Sequence, residues 1–127
     1  MQELTHYING EHIKGTSGRF ADVFNPATGE VQAKLPLANA EEMDIAVKAA
    51  EAAQPAWAAV NPQRRARVMM KFVGLLNDNM DKLSEALSRE HGKTLPDAAG
   101  DVQRGLEVVE YCIGAPEMLK GEFTDSA

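Results

Sequence analysis

Asn61-Pro62-Gln63-Arg64-Arg65-Ala66-Arg67-Val68-Met69-Met70 opens the stretch whose reading decides the fold, and Ser88-Arg89-Glu90-His91-Gly92 closes it. Between these ends Ala66, Met69, Val73, Leu76, Met80, Leu83 and Leu87 recur at spacings of three and four. That repeat lines one face of an α-helix. Asn61 can cap the first turn, and Pro62 suits the first helical position, where its missing N–H would be unpaired anyway. Gly92 supplies the left-handed residue that ends a helix. The spacing predicts a helix over 62–91, about 45 Å long if unbroken. That is long for a chain of 127 residues and implies a partner surface beyond it.

Working outward toward the C-terminus, a further helix is predicted over 95–114. Thr94, Pro96 and Asp97 mark its start, and Gly114-Ala115-Pro116 its end. Leu95, Ala99, Val102, Leu106, Val109 and Ile113 form its apolar stripe. Gly100 and Gly105 are interior and each costs roughly 1 kcal/mol against Ala. Close approach of another backbone or a ligand would justify them, and simple tolerance is the other reading.

Toward the N-terminus, Asn39 with Glu42 forms a capping-box pattern, followed by Met43, Val47, Ala50 and Trp57. A helix is predicted over 40–54, with Pro55 ending or bending it. Before it, Asn9-Gly10 between Tyr7-Ile8 and His12-Ile13 is a hairpin signal, because both turn residues tolerate positive φ. Asn25-Pro26-Ala27-Thr28-Gly29 is a second turn, flanked by strands at Phe20–Phe24 and Glu30–Leu37. The fold class is therefore α+β: a β-hairpin region over 1–38 followed by a helical region over 39–116.

Composition excludes several classes. Lys and Arg number 13 against 19 Asp and Glu, a net charge of −6, which repels nucleic acid and anionic membranes. Arg64, Arg65 and Arg67 are either a local basic patch or a solvated helix start. The single cysteine, Cys112, rules out an internal disulfide and favours a reducing compartment. No signal peptide or membrane-span pattern is present, so a cytoplasmic location is expected.

The chemistry-bearing patterns are few. The chain has no G-x-G-x-x-G and no P-loop. His6, His12 and His91 lack metal-ligand spacing, so no metal site is expected. Cys112 lies late in the last helix beside Glu110, which opposes a thiolate, and reads as packing. Ser84, Ser88 and His91 share a helical face without an oxyanion donor, so no catalytic residue is assigned to them. Arg104 stands apart. It projects away from the Val102 and Leu106 stripe, with Gly100 one turn before it. A guanidinium beside bare helix can hold a carboxylate through two parallel hydrogen bonds. A surface pair with Glu107 is the competing reading.

Tyr7-Ile8-Asn9-Gly10-Glu11, Asn25-Pro26-Ala27-Thr28-Gly29-Glu30-Val31, the Ala46–Trp57 helix, Arg64-Arg65-Ala66-Arg67 and Glu90-His91-Gly92-Lys93 together resemble the N-terminal region of the aldehyde dehydrogenase superfamily. Asp101-Val102-Gln103-Arg104-Gly105, Glu107–Tyr111 and Gly114-Ala115-Pro116 resemble its CoA-acylating methylmalonate-semialdehyde dehydrogenase branch. The resemblance covers nearly the whole chain.

It implies an α+β fragment of an α/β enzyme, the N-terminal part of an NAD-binding domain over 1–127, with the helices packed on the dinucleotide-binding sheet and the start of a further strand over 117–127. The implied activity is oxidation of malonate or methylmalonate semialdehyde to acetyl-CoA or propionyl-CoA, in valine and inositol breakdown. NAD and coenzyme A are the implied cofactors of the intact enzyme, a small-molecule semialdehyde is its substrate, and a homo-oligomer is its assembly. Arg104 matches the arginine that contacts the substrate carboxylate. The family's nucleophilic cysteine, general-base glutamate, oxyanion donor and NAD-holding strands have no counterpart here. The isolated chain is therefore expected to bind no cofactor, to be inactive, and to expose apolar surface that drives self-association. The alternative, from a different class, is a free-standing helical interaction module without catalysis.

Overall fold

A computed structural model describes residues 2–125. The chain divides into two units, Met1–Ala59 with Arg89–Gly92, and Val60–Ser88 with Lys93–Ala127.

The first unit holds strands β1 (Gln2–Glu3), β2 (His6–Ile8), β3 (Glu11–Ile13), β4 (Phe20–Phe24) and β5 (Val31–Pro36), then helix α1 (Ala40–Ala58). β5 is central, parallel to β1 and antiparallel to β4. β2 and β3 form a separate antiparallel ribbon with Tyr7 opposite His12, their rings edge-on at 5.1 Å. Asn9 and Gly10, at φ 53 and 83, make the tight turn expected of Asn-Gly. In the second turn the Asn25 carbonyl accepts from Gly29 N at 2.8 Å, and Asn25 Oδ1 accepts from Ala27 N at 2.9 Å. Gly29, at φ 75, supplies the left-handed residue.

α1 starts as its capping box requires, with Asn39 and Glu42 bonding each other's backbone N–H. It does not stop at 54, however. It runs through Pro55 to Ala58, and Ala59 N closes on the Pro55 carbonyl at 3.1 Å. A proline this close to the end removes one donor without preventing a last turn. The stripe assigned to α1 also faces outward: Met43, Val47 and Trp57 are 59%, 55% and 47% exposed. Its inward positions are Glu42, Ala46 and Ala49, at helical spacing one step round the helix.

The second unit holds α2 (Pro62–Asp78), most of α3 (Met80–His91), α4 (Leu95–Ile113) and the short α5 (Ala115–Met118). α2 packs against α4 and α5. Asn61 caps α2 as expected, its side chain accepting from Gln63 N at 2.8 Å. Thr94 is the N-cap of α4 but makes no side-chain cap bond. Pro96 removes one of the two N–H groups such a bond would use.

The helix predicted over 62–91 is divided at Asn79. The Asn79 side chain donates to the Leu75 carbonyl at 2.8 Å and that of Asn77 donates to Val73 at 3.0 Å. Side chains that bond nearby backbone compete with the helical ladder, and Asn-Asp-Asn is poor in helix formers. The stripe keeps its phase across the break. Ala66 is buried, and Met69, Val73, Leu76, Met80, Leu83 and Leu87 are half-buried. The strand expected to start within 117–127 is not formed among the described residues: Glu117 and Met118 end α5, and 119–125 carry no strand. Strand conformation needs a hydrogen-bonded neighbour, and none of the described strands pairs there. Ser126 and Ala127 lie outside the described residues.

Few apolar side chains are sequestered among the described residues: three alanines, Ala33, Ala66 and Ala98, with Pro36 and one large side chain, Leu106. The accessible surface is 9698 Å² for a mass of 13.8 kDa. Two separate folded bodies of half that mass would together expose roughly 8,000 Å². Large apolar side chains contribute to the exposed surface, with Phe72, Leu75, Val108 and Leu119 between 44% and 63% exposed. No helix among the described residues is long and apolar enough to cross a membrane.

Candidate functional site

Arg104 lies in the middle of α4, on the side turned away from buried Leu106. Its side chain is 71% exposed. Gly100, one turn earlier, and Gly105, beside it, face open space, and a Cβ at either would meet nothing within 4 Å. The guanidinium does not pair with Glu107, which instead accepts from Gln103 Nε2 at 3.2 Å. Arg104 Nη2 donates to Asp101 Oδ1, one turn back along the helix.

The other oxygen of the same carboxylate is also occupied. Lys93 Nζ, from the loop that leads into α4, donates to Asp101 Oδ2. Lys93 is largely covered, its side chain 19% exposed. Its carbonyl accepts from Ser88 Oγ at 2.7 Å, which ties the loop to the end of α3. The Lys93 ammonium, and after it the Arg104 guanidinium, hold the Asp101 carboxyl below its ordinary value. Two cations share one anion, so the group keeps one net positive charge. A planar monoanion such as a carboxylate complements that charge and the free donors of Arg104.

The sequence had singled out Arg104 but not its partners. Lys93 and Asp101 lie eight residues apart and meet only because Lys93 stands in the loop that enters the helix.

The other polar residues resolve differently. Ser84 Oγ donates to the Met80 carbonyl at 2.7 Å, and Ser88 is engaged with Lys93, so both hydroxyls serve backbone. Cys112, read as packing, is exposed. The face of α4 that packs carries Ala98 and Leu106, and Cys112 lies at its edge near the end of the helix. The Arg65 Nε is buried without a hydrogen-bond partner among the described residues. Among those residues no three His, Cys, Asp or Glu side chains are placed to hold a metal ion.

A second carboxylate, Glu42, is buried in the first unit. Its Oε2 accepts from Asn39 N at 2.8 Å, and its Oε1 accepts from Thr16 N at 2.6 Å and Thr16 Oγ1 at 3.1 Å. The backbone N–H groups of Asn39 and then Thr16 hold its carboxyl below the ordinary value. His6 Nε2 stands 3.9 Å from Oε1.

The chain is similar to known proteins along nearly its whole length. Over 124 residues the chain is 51% identical to the malonate-semialdehyde dehydrogenase of Pseudomonas aeruginosa, covering 98% of itself and 25% of that protein. It is 45% identical to a methylmalonate-semialdehyde dehydrogenase of Oceanimonas doudoroffii, with a TM-score of 0.91, covering 96% of itself and 25% of that chain. A Sinorhizobium meliloti 1021 protein assigned as a methylmalonate-semialdehyde dehydrogenase, solved with NAD, is 61% identical with a TM-score of 0.95. There the match covers 100% of this chain and 26% of that one. The chain thus spans about a quarter of the length of the relatives it matches. With the family pattern matching residues 12–127 as well, the chain belongs to the aldehyde dehydrogenase family.

Proposed function

We propose that this chain is the N-terminal portion of an NAD-dependent, CoA-acylating malonate/methylmalonate-semialdehyde dehydrogenase, and that Arg104 receives the substrate carboxylate there. Its relatives act on malonate or methylmalonate semialdehyde by name, and one of them was solved with NAD. Both semialdehydes carry a carboxylate away from the reacting aldehyde. The observation that carries the reading is the exposed Arg104 guanidinium, on a glycine-flanked stretch of α4, in a group with one uncompensated positive charge.

When bound in such an enzyme, NAD would supply the hydride acceptor and coenzyme A the acyl acceptor. The chain has no glycine-rich turn that would cradle a pyrophosphate, so it is given no part in holding either cofactor. Its own part is binding. A guanidinium that holds the carboxylate end fixes the distance at which the aldehyde is presented, and orientation of this kind lowers the barrier to reaction. On this reading no residue of the chain supplies the nucleophile, and its single cysteine, Cys112, lies late in α4. On this reading the 127-residue chain has no dehydrogenase activity alone, and the whole enzyme is a homo-oligomer located in the cytoplasm.

Arg104→Leu in the full-length enzyme tests the role. The preference for malonate semialdehyde over propanal, as the ratio of kcat/KM values, should fall about a hundredfold, the scale of a lost hydrogen-bonded charge pair. Equal losses on the two aldehydes would reject the carboxylate role.

A further inference from the structure

A long, exposed arginine helps a substrate only if it is held where the substrate needs it. Arg104 spends Nη2 on Asp101 and keeps the rest of its fork for an incoming anion. Asp101 is held in turn from its covered side. Lys93 occupies the opposite carboxylate oxygen and is itself mostly buried. Ser88 fixes the Lys93 carbonyl. The restraint therefore runs from the end of α3 through Lys93 and Asp101 to Arg104. Along α4 the other acidic neighbour, Glu107, is taken by Gln103.

Building on the reading of Arg104 above, we propose that Asp101 is a positioning residue. Anchored by Lys93, it aims the Arg104 guanidinium and so sets the preference for carboxylate-bearing aldehydes. As a stability element an i,i+3 ion pair at this exposure is weak and screened by water. Its effect is on orientation, because the arginine side chain loses less freedom on binding when part of its fork is already fixed. Removing the Asp101 charge also makes the neighbourhood more positive and draws an anion in. At an exposed guanidinium that attraction is diluted by solvent, so the loss of orientation dominates.

The test is steady-state kinetics of the full-length enzyme carrying Asp101→Asn, Asp101→Glu or Lys93→Met, with malonate semialdehyde and with propanal. Asn lacks the charge and the second acceptor oxygen through which Asp101 spans the two cations, so Asp101→Asn should lower the malonate semialdehyde/propanal preference about tenfold, through KM rather than kcat. Asp101→Glu should restore most of it, and Lys93→Met should shift KM in the same direction as Asp101→Asn. An unchanged or lowered KM for malonate semialdehyde overturns the proposal, as do parallel losses on both aldehydes. Should Asp101→Asn fail to fold, an unchanged preference in Lys93→Met has the same force. Arg104→Leu separates the two readings. If it removes the preference while Asp101→Asn does not, Arg104 binds the carboxylate and Asp101 does not aim it. If it leaves the preference intact, the role of Arg104 falls first.

Discussion

Glu42 and Asp101 are both carboxylates that serve two neighbours, yet they do different things. Every donor to Glu42 is neutral and comes from a turn or a helix cap, and the residue is 8% exposed. Its charge is used up inside the first unit, where it joins the Thr16 loop to the start of α1. Asp101 has two charged donors of unequal exposure, Lys93 at 19% and Arg104 at 71%. Its charge is exceeded by theirs, and the surplus faces solvent. A carboxylate ringed by N–H and O–H groups fixes a fold, whereas one strung between a covered and an open cation carries positive charge to the surface.

The same substitution on either side should have opposite signs. A Cβ at Gly15 would stand 2.6 Å from Pro36 Cβ and 3.4 Å from His6 Nε2, in the crowded neighbourhood of Glu42. Gly15→Ala should destabilise the chain by about 2 kcal/mol, read from the midpoint of urea unfolding. An unmoved midpoint would mean that the Thr16 loop yields easily and Glu42 is not the fixed point described. Gly100→Ala, in the open neighbourhood of Asp101, should stabilise by roughly 0.5–1 kcal/mol, because a helix interior favours alanine. A loss there would show that this face of α4 is packed and not bare.

The smallest effect is the most diagnostic. Folding lowers the Glu42 carboxyl below its ordinary value of 4.5, so on acidification the unfolded chain takes up the proton first. The stabilisation from Glu42 is complete above that pH and is lost as pH falls through the lower folded-state value. Urea titrations between pH 3 and 6 should show stability rising with pH and then levelling, and Glu42→Gln should flatten that rise. A slope unaltered by Glu42→Gln would assign the acid sensitivity to other carboxylates, Asp101 among them.

Much of this was legible from local chemistry. Asn9-Gly10, Asn25–Gly29, the Asn39/Glu42 box and Gly92 each specify a backbone shape by themselves, and each takes that shape. The stripe of α2 and α3 was legible because periodicity survives the interruption at Asn79, although the interruption was not foreseen. It depends on which carbonyls the Asn77 and Asn79 side chains reach. The apolar stripe of α1 was legible, and Met43 and Val47 on it are exposed, in keeping with the apolar surface expected to lie open; that the unit turns the cap residue Glu42 inward was not foreseen. At the candidate site Arg104 stood out by type and position. Its links to Asp101 and Lys93 depend on how a loop enters a helix, which spacing alone does not encode.

Pro26 and Gly92 belong to distant parts of the sequence, a reverse turn and a helix terminus, but meet in one place. A methyl group on residue 92 would come within 2.9 Å of the Pro26 ring, and the backbone there already has φ 83. Glycine is thus demanded twice, by torsion and by crowding. Shrinking Pro26 would relieve the crowding and leave the torsional demand untouched, so across evolutionary time the proline is free to drift before the glycine is.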